Sequence, residues 1–230
     1  MTTPRIVEIR RNVLKRNDLL AAELRMRFER AGVSVISLVS SPGAGKTALL
    51  ESLLVELSGR FRVAALVGDL ATDNDANRLA RAGVPVQQIV TGTVCHLDAE
   101  MVNKALQTLA VEQLDLLFIE NVGNMVCPAS YDLGEELRFV LMSVTEGEDK
   151  PLKYPTIFNT ADVAVITKID LADAVEFDLR SARDNIERVR PGMRVLEVSS
   201  KTKQGLDVLL EFIDSNIVRS EQAATTSVGR

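Results

Sequence analysis

The sequence has few of the residues that make metal sites and covalent cross-links. Its 230 residues hold two cysteines, Cys95 and Cys127, and a single histidine, His96. Two cysteines cannot build a disulfide framework, which points to a reducing compartment. No apolar run approaches the ~20 residues that a membrane span requires. The first residues lack the apolar core of a secretory signal, being broken by Arg5, Glu8, Arg10 and Arg11. A cytoplasmic protein with no membrane partner is expected. A basic excess is missing too, because the net charge is −5. That argues against broad nucleic-acid binding, which needs a cationic surface to displace counterions from phosphates. What remains is an ordinary balance, 46% hydrophobic and 26% charged, in a chain long enough to bury a substantial core.

Periodicity outlines the elements. Ile6, Ile9, Val13, Leu20, Leu24 and Phe28 recur at helical spacing among arginines, and Gly32 stands where such a helix would end. Residues 1–32 are therefore expected to form an amphipathic N-terminal helix packed on the domain edge. Apolar runs suited to strands follow near Val33–Val39, Val63–Val67, Gln88–Val90, Leu114–Ile119, Val163–Ile166 and Arg194–Val198. A further run, Phe139–Val144, fits either a strand or the end of a helix. Helical stretches fall between them near Thr47–Leu57, Ala76–Ala82, Ala99–Leu109, Asp178–Val189 and Leu206–Ile217. Short apolar strands alternating with helices argue for an α/β fold. The expected architecture is a mostly parallel central sheet with helices on both faces, spanning residues 33–217. Residues 218–230 lack apolar periodicity and are expected to fray as a tail.

The strongest chemical signal is "SVISLVSSPGAGKTALLESLL". A strand ends at Ser40, a glycine-rich turn follows, and Lys46-Thr47 opens a helix, which is the context of a P-loop. Gly43 and Gly45 let backbone N–H groups turn toward a phosphate. Lys46 would bridge the β- and γ-phosphate oxygens, and the Thr47 hydroxyl would bind Mg²⁺. Ser41, Ala44 and Ala48 complete the expected nucleotide contacts. Ser40 stands where the first glycine of the common pattern would be.

Further along, "VAVITKIDL" delivers Thr167, Lys168 and Asp170 to the carboxyl end of a strand. This resembles the Asn-Lys-x-Asp guanine motif of GTPases. Asp170 can accept from both N1–H and the exocyclic amine of guanine, and the Lys168 stem can cover the base. Thr167 offers no amide for the loop-bracing role of the asparagine. "EVSSKTKQG" resembles a second guanine loop through Ser199, Ser200 and Lys201. GTP is the expected nucleotide. Asp69 and Glu120 end strands and Asp75 lies just beyond the first of these, so all three are candidate partners for Mg²⁺, with Thr47. Lys46, Asp75 and Gly123 are the candidate catalytic residues, Gly123 through a backbone N–H at the γ-phosphate. A lone acid in such a loop is also compatible with a helix cap, as Asp75 could be.

Cys95-His96 precedes the helix near Ala99–Leu109, and Cys127 follows Gly123 by four residues. Nearness to a helix N-terminus favours the thiolate, the metal-binding form. Cysteine is equally a small buried hydrophobe, and the residues alone leave both readings open. The blocks "SSPGAGKT", "GDLATDNDANRL", "TGTVCHLDAEM", "ENVGNMVCPA" and "ITKIDL" resemble those of the HypB family, the GTPases of nickel incorporation into hydrogenases. The Cys-Pro-His pattern of the related urease GTPases is lacking. The resemblance implies a dimerising P-loop GTPase with Ni²⁺ or Zn²⁺ bound by Cys95, His96 and Cys127. It also implies a homodimer promoted by GTP or metal. A hydrogenase large subunit and a companion nickel-delivery protein are the implied partners. The cysteine-rich or histidine-rich N-terminal segments of some members are absent from these residues, so neither a second nickel site nor a storage role is expected. Other readings are a chaperone for a different metallocentre, a regulatory GTP switch with structural cysteines, and a small-molecule kinase.

Overall fold

Side chains alternate between two apolar cores along nearly every strand, so the sheet must be covered on both faces. The computed structural model describes residues 5–69 and 74–227, with side chains for 11–69 and 75–217. In β1 (Ser34–Ser40), Ile36 and Leu38 enter one core, while Val35 and Val39 point to the other face. The same alternation runs through β2 (Val63–Asp69) and, beyond β3 (Val86–Val90), through β4 (Leu116–Glu120), β5 (Leu137–Ser143) and β6 (Val163–Thr167). With β7 (Arg194–Val198) they form a parallel sheet, ordered β3-β2-β4-β1-β5-β6-β7 among the described residues. Chain order reverses around β1, so the crevice at its carboxyl end is the natural ligand site.

The helices are α1 (Arg5–Ala31), α2 (Lys46–Leu57), α3 (Asn74–Leu79), α4 (Ala99–Ala105), α5 (Lys150–Lys153), α6 (Pro155–Thr160), α7 (Leu179–Val189) and α8 (Leu206–Ser227). One face is covered by α2, α3 and α8. The other is covered by α1 and α4 over one half and by α6 and α7 over the other half. Leu49, Leu50, Leu53, Leu54 and Leu57 of α2 are all fully buried. At roughly 1.5–3 kcal/mol for each such side chain, their burial fixes the helix that follows the phosphate loop.

The N-terminal helix does more than lie on an edge. Ala21, Leu24 and Phe28 are buried against the sheet and α4. Buried Asn17 reaches two loops at once: Nδ2 donates to the Asp132 carbonyl (2.9 Å) and Oδ1 accepts from the Ala99 N–H (2.9 Å). Arg25 pairs with both carboxylate oxygens of Asp132, at 2.8 and 2.9 Å. Residues 1–4 of the expected helical segment lie outside the described residues.

Several boundaries differ from the sequence reading. The ambiguous run resolves as strand β5, held between β1 and β6. The fourth helix stops at Ala105 rather than Leu109, with Leu106 capping it. Short helices α5 and α6 were not foreseen, because Pro151 and Pro155 read as breaks yet occupy first-turn positions, where proline is tolerated. Helix α8 continues to Ser227, whereas the expected tail begins at residue 218. No glycine or proline interrupts the intervening sequence, and residues 228–230 lie outside the described residues. No helix among the described residues is long and apolar enough to cross a membrane.

Candidate nucleotide and metal site

The loop between β1 and α2 holds its shape through two left-handed glycines, Gly43 at φ 74° and Gly45 at φ 92°. Lys46 is 8% exposed. Burial lowers its pKa, partly offset by Glu120, Asp75 and Glu146. Its Nζ donates to Ser40 Oγ (2.9 Å), and that hydroxyl donates to the Ser41 carbonyl (2.6 Å). The serine that departs from the glycine pattern thus parks the lysine. The Ser41 hydroxyl donates to Glu146, which also pairs with Lys150 Nζ (2.9 Å) and accepts from Ser143 N–H (2.8 Å). The loop after β5 therefore braces the phosphate loop from the side.

Glu120 sits at the end of β4, aligned with Leu38 of β1 and Val67 of β2. Thr47 Oγ1 donates to its Oε1 (2.7 Å), and Oε2 is buried without a hydrogen-bond partner. A buried carboxylate oxygen left open beside a phosphate-loop hydroxyl fits a hard divalent cation. Asp69 and Asp75 line the same 420 Å³ cavity, with Gly123 at its rim. These acids do not form a metal-holding group of three among the described residues, and residues 70–73 between them are not described. Gly123 packs so closely on the phosphate loop that a Cβ there would lie 3.0 Å from Pro42 Cα.

Burial pushes the Glu120 carboxyl up to about 7, against the opposing pull of Lys46. The unfolded chain releases that proton near 4.5. Between these values the native state holds the extra proton, so stability falls as pH rises and the loss is complete above about pH 7. The loss is about 3 kcal/mol. Glu120→Gln keeps an acceptor for Thr47 without the titration. It is expected to raise the nucleotide-free Tm by several degrees near pH 8 and to change it little near pH 5. Thermal unfolding at both pH values checks this, and equal shifts at the two would contradict it.

A second cavity, of 340 Å³, adjoins the first and shares Gly45, Ala48 and Arg78 with it. Thr167, Lys168, Asp170, Ser200 and Lys201 line it. The expected loss of bracing at Thr167 is not found: its hydroxyl donates to the Ala44 carbonyl (2.6 Å), tying β6 to the phosphate loop. Lys168, in a left-handed conformation at φ 59°, donates to the Gly43 carbonyl (2.7 Å). Ser199 Oγ donates to Asp170 Oδ1 (2.6 Å), orienting that carboxylate in the cavity.

About one loop away, Cys95, His96 and Cys127 bring three ligand atoms within 4.8 Å of one another. The two sulfurs are 3.1 Å apart, and neither cysteine is in a disulfide. His96 stacks on Tyr131 at a centroid distance of 3.9 Å, and its Nδ1 is buried without a partner. Burial lowers the imidazole pKa, partly offset by Asp98, which favours the neutral, metal-ligating form. Asp98 caps α4 by accepting from Met101 N–H (2.8 Å), so the helix and loop are fixed together. The unpartnered nitrogen and the paired thiols suit Ni²⁺ or Zn²⁺.

Comparison with known proteins gives the family. The family model of the CobW/HypB/UreG nucleotide-binding domain matches residues 34–197. The hydrogenase maturation factor HypB of Rhizobium leguminosarum bv. viciae is 44% identical over 95% of this chain and 73% of its own length. The chain belongs to the HypB family. The probable HypB of Methanocaldococcus jannaschii is 42% identical over 92% of this chain and 96% of its own. The crystal structure of HypB from Helicobacter pylori in complex with nickel superposes with a TM-score of 0.84. It is 40% identical and covers 89% of this chain and 96% of that one. Membership of the HypB family makes this a nucleotide-binding P-loop domain.

Residues that sequence reasoning missed are those whose partners lie far along the chain. Arg78 borders both cavities and pairs with Glu51 (2.7 Å). Glu146 braces Ser41, Tyr131 supports His96, and Asn121 joins the two sites. Only Asn121 left a signal, because it follows Glu120 at the carboxyl end of a strand.

Proposed function

We propose that this chain is a GTP-hydrolysing metallochaperone that binds nickel and assists its insertion into a nickel–iron hydrogenase. The observation that carries the reading is the convergence of Cys95, His96 and Cys127 within 4.8 Å, in a loop hydrogen-bonded to the wall of the phosphate cavity. The HypB relatives named above support the hydrogenase role.

In this reading GTP draws Lys46 away from Ser40 onto the β- and γ-phosphates. Backbone N–H groups from Gly43 to Thr47 surround the same anion at the start of α2. Thr47 and Glu120 would hold Mg²⁺, with Asp69 and Asp75 beside them, and the ion would neutralise charge developing on the phosphate oxygens. Asp75 and the Gly123 N–H act at the γ-phosphate, and preorganised charge does most of the catalysis. Ser41, Ala44 and Ala48 complete the phosphate contacts. Thr167, Lys168 and Asp170 hold the guanine, with Ser199, Ser200 and Lys201.

Ni²⁺ or Zn²⁺ is carried by the three soft ligands. Three ligands leave a tetrahedral site one short, and a second copy across a two-fold axis supplies more. Val126, next to Cys127, and Val90, at the end of edge strand β3, are each 65% exposed, which supports such a homodimer. GTP or metal promotes it, and a hydrogenase large subunit and a companion nickel-delivery protein are its cytoplasmic partners.

Asp170→Ala removes both guanine acceptors. At about 1.5 kcal/mol for each hydrogen bond to a charged group, GDP affinity is expected to fall by at least about 10²-fold, measured by calorimetry. An unchanged GDP affinity would place the base elsewhere. The reading as a whole is tested by phosphate release from GTP and ATP together with nickel retained after desalting. GTP turnover well above ATP turnover, with nickel retained by wild type and not by Cys95→Ala, is the expected result. Wild type without nickel would leave a nucleotide switch with structural cysteines.

A further inference from the structure

Asn121 is buried at 2% exposure, follows Glu120 at the end of β4, and lines the phosphate cavity. Its backbone N–H donates to the Leu38 carbonyl (3.0 Å), tethering it to the strand that feeds the phosphate loop. Its side-chain Oδ1 accepts two backbone N–H groups, from Val122 (2.9 Å) and Leu97 (3.0 Å). Val122 leads into Gly123, the residue packed on Pro42. Leu97 directly follows His96. One oxygen therefore holds both the turn that faces a γ-phosphate and the loop that bears two of the three metal ligands.

Leu97 has little freedom to absorb a shift. It is fully buried against β2, where a Cβ at Gly68 would come within 2.8 Å of its Cγ. Gly68 itself precedes Asp69. We infer that Asn121 is a positioning residue that transmits the nucleotide state of the phosphate cavity to the nickel site. The inference rests on the metallochaperone reading and names the side chain that links its two halves. When a γ-phosphate draws the turn at Val122 and Gly123 toward itself, the shared acceptor moves, and the Leu97 N–H must follow it or lose its partner. A buried N–H without an acceptor is disfavoured, so the loop of Cys95 and His96 moves with the turn. Asn124 makes a useful contrast. Its Nδ2 reaches the Cys95 carbonyl (3.4 Å) and its Oδ1 accepts from Val126 N–H (2.8 Å). It clamps the triad without bordering the phosphate cavity.

The test is the ratio of nickel dissociation constants measured with saturating GDP and with a non-hydrolysable GTP analogue. Wild type is expected to bind nickel roughly 5- to 150-fold more tightly with the analogue, the usual range of coupling between sites. In Asn121→Ala the ratio is expected to fall to within about twofold of unity, and Asn121→Asp, which keeps an oxygen acceptor in place, is expected to restore it. Asn124→Ala should weaken nickel in both states and keep the wild-type ratio. Coupling is reciprocal, so nickel should tighten the analogue relative to GDP by the same factor in wild type and not in Asn121→Ala. Thermal unfolding and GDP binding of each variant separate a lost link from a lost fold.

A folded Asn121→Ala that retains the wild-type ratio overturns the inference, as does equal loss of the ratio in Asn121→Ala and Asn121→Asp. A wild-type ratio of one, with nickel bound, overturns the coupling and leaves nickel binding standing. Wild type that binds no nickel overturns the metallochaperone reading itself.

Discussion

Lys46→Ala is expected to lower GTP turnover by roughly 10²–10³-fold, the effect of removing one preorganised donor from a developing anionic transition state. The expectation follows from where the ammonium sits. It is nearly buried, its charge is disfavoured by desolvation, and its one hydrogen-bond acceptor among the described residues is the Ser40 hydroxyl. Such a charge gains most from a phosphate. It contributes little to the empty fold, so the nucleotide-free Tm of Lys46→Ala is expected to hold or rise. Glu120 would lose the charge that most opposes its protonation and keep its proton to still higher pH. Phosphate release under saturating GTP, read beside thermal unfolding, checks the two halves together. A large drop in Tm with modest loss of turnover would make Lys46 a structural residue.

Loss of either thiol should have an effect of similar size on nickel. Cys127→Ala reduces three converging ligands to two, and Cys95→Ala does the same from the other loop. Changes outside the ligand set already weaken metal binding by roughly 10–100-fold, so removal of a ligand is expected to cost at least about 10²-fold. GDP affinity should stay within about twofold of wild type, because neither thiol borders the nucleotide cavities. Competition with a chromophoric chelator measures the nickel affinity, and calorimetry measures the nucleotide. Retention of wild-type nickel affinity in both variants would assign the bound metal to other residues.

The two cysteine variants differ in their neighbours, which makes the pair informative. Cys95 lies in the loop tied to Asn121 through Leu97, and Cys127 in the turn that leads to Tyr131. Equal losses of nickel affinity from both would mean that the ion draws on both loops. A loss confined to one would mean that the other thiol serves packing.

Much of the fold was legible because parallel strands buried on both faces leave continuous apolar runs. Val163–Ile166 and Leu116–Ile119 are examples, each entered directly after an aspartate, Asp162 and Asp115. The run Phe139–Val144 was not decidable alone, since five apolar residues with one serine, Ser143, suit a buried strand and a helix end equally. Pairing with β1 and β6 decides it, and that pairing is a tertiary fact. The helices around Pro151 and Pro155 escaped notice because each is short and carries in its first turn a proline, the residue usually read as a stop.

For the candidate site, local motifs carried the phosphate loop and the two loops that line the adjoining cavity, since each is one contiguous stretch after a strand. The triad was suggested by a family resemblance, because Cys95 and Cys127 are far apart in sequence and no spacing rule joins them. The links between sites were invisible. Nothing in "ENVGN" says that Asn121 Oδ1 meets the Leu97 N–H, or that Glu146 reaches Ser41. Likewise Asn17 reads as one polar residue in an amphipathic helix, yet it ties the loops at Ala99 and Asp132. Bonds of this kind depend on which loops the sheet order brings together. That order, with β4 between β2 and β1, is set by the whole chain.

The central claim is that the nucleotide controls the nickel site. The most direct measurement is a nickel titration of the wild-type protein with GDP and with a non-hydrolysable GTP analogue, following molecular mass by light scattering in the same samples. Tighter nickel binding and a dimeric mass with the analogue, both weaker with GDP, are the expected result. Identical nickel affinity and identical mass in the two nucleotide states would contradict the claim.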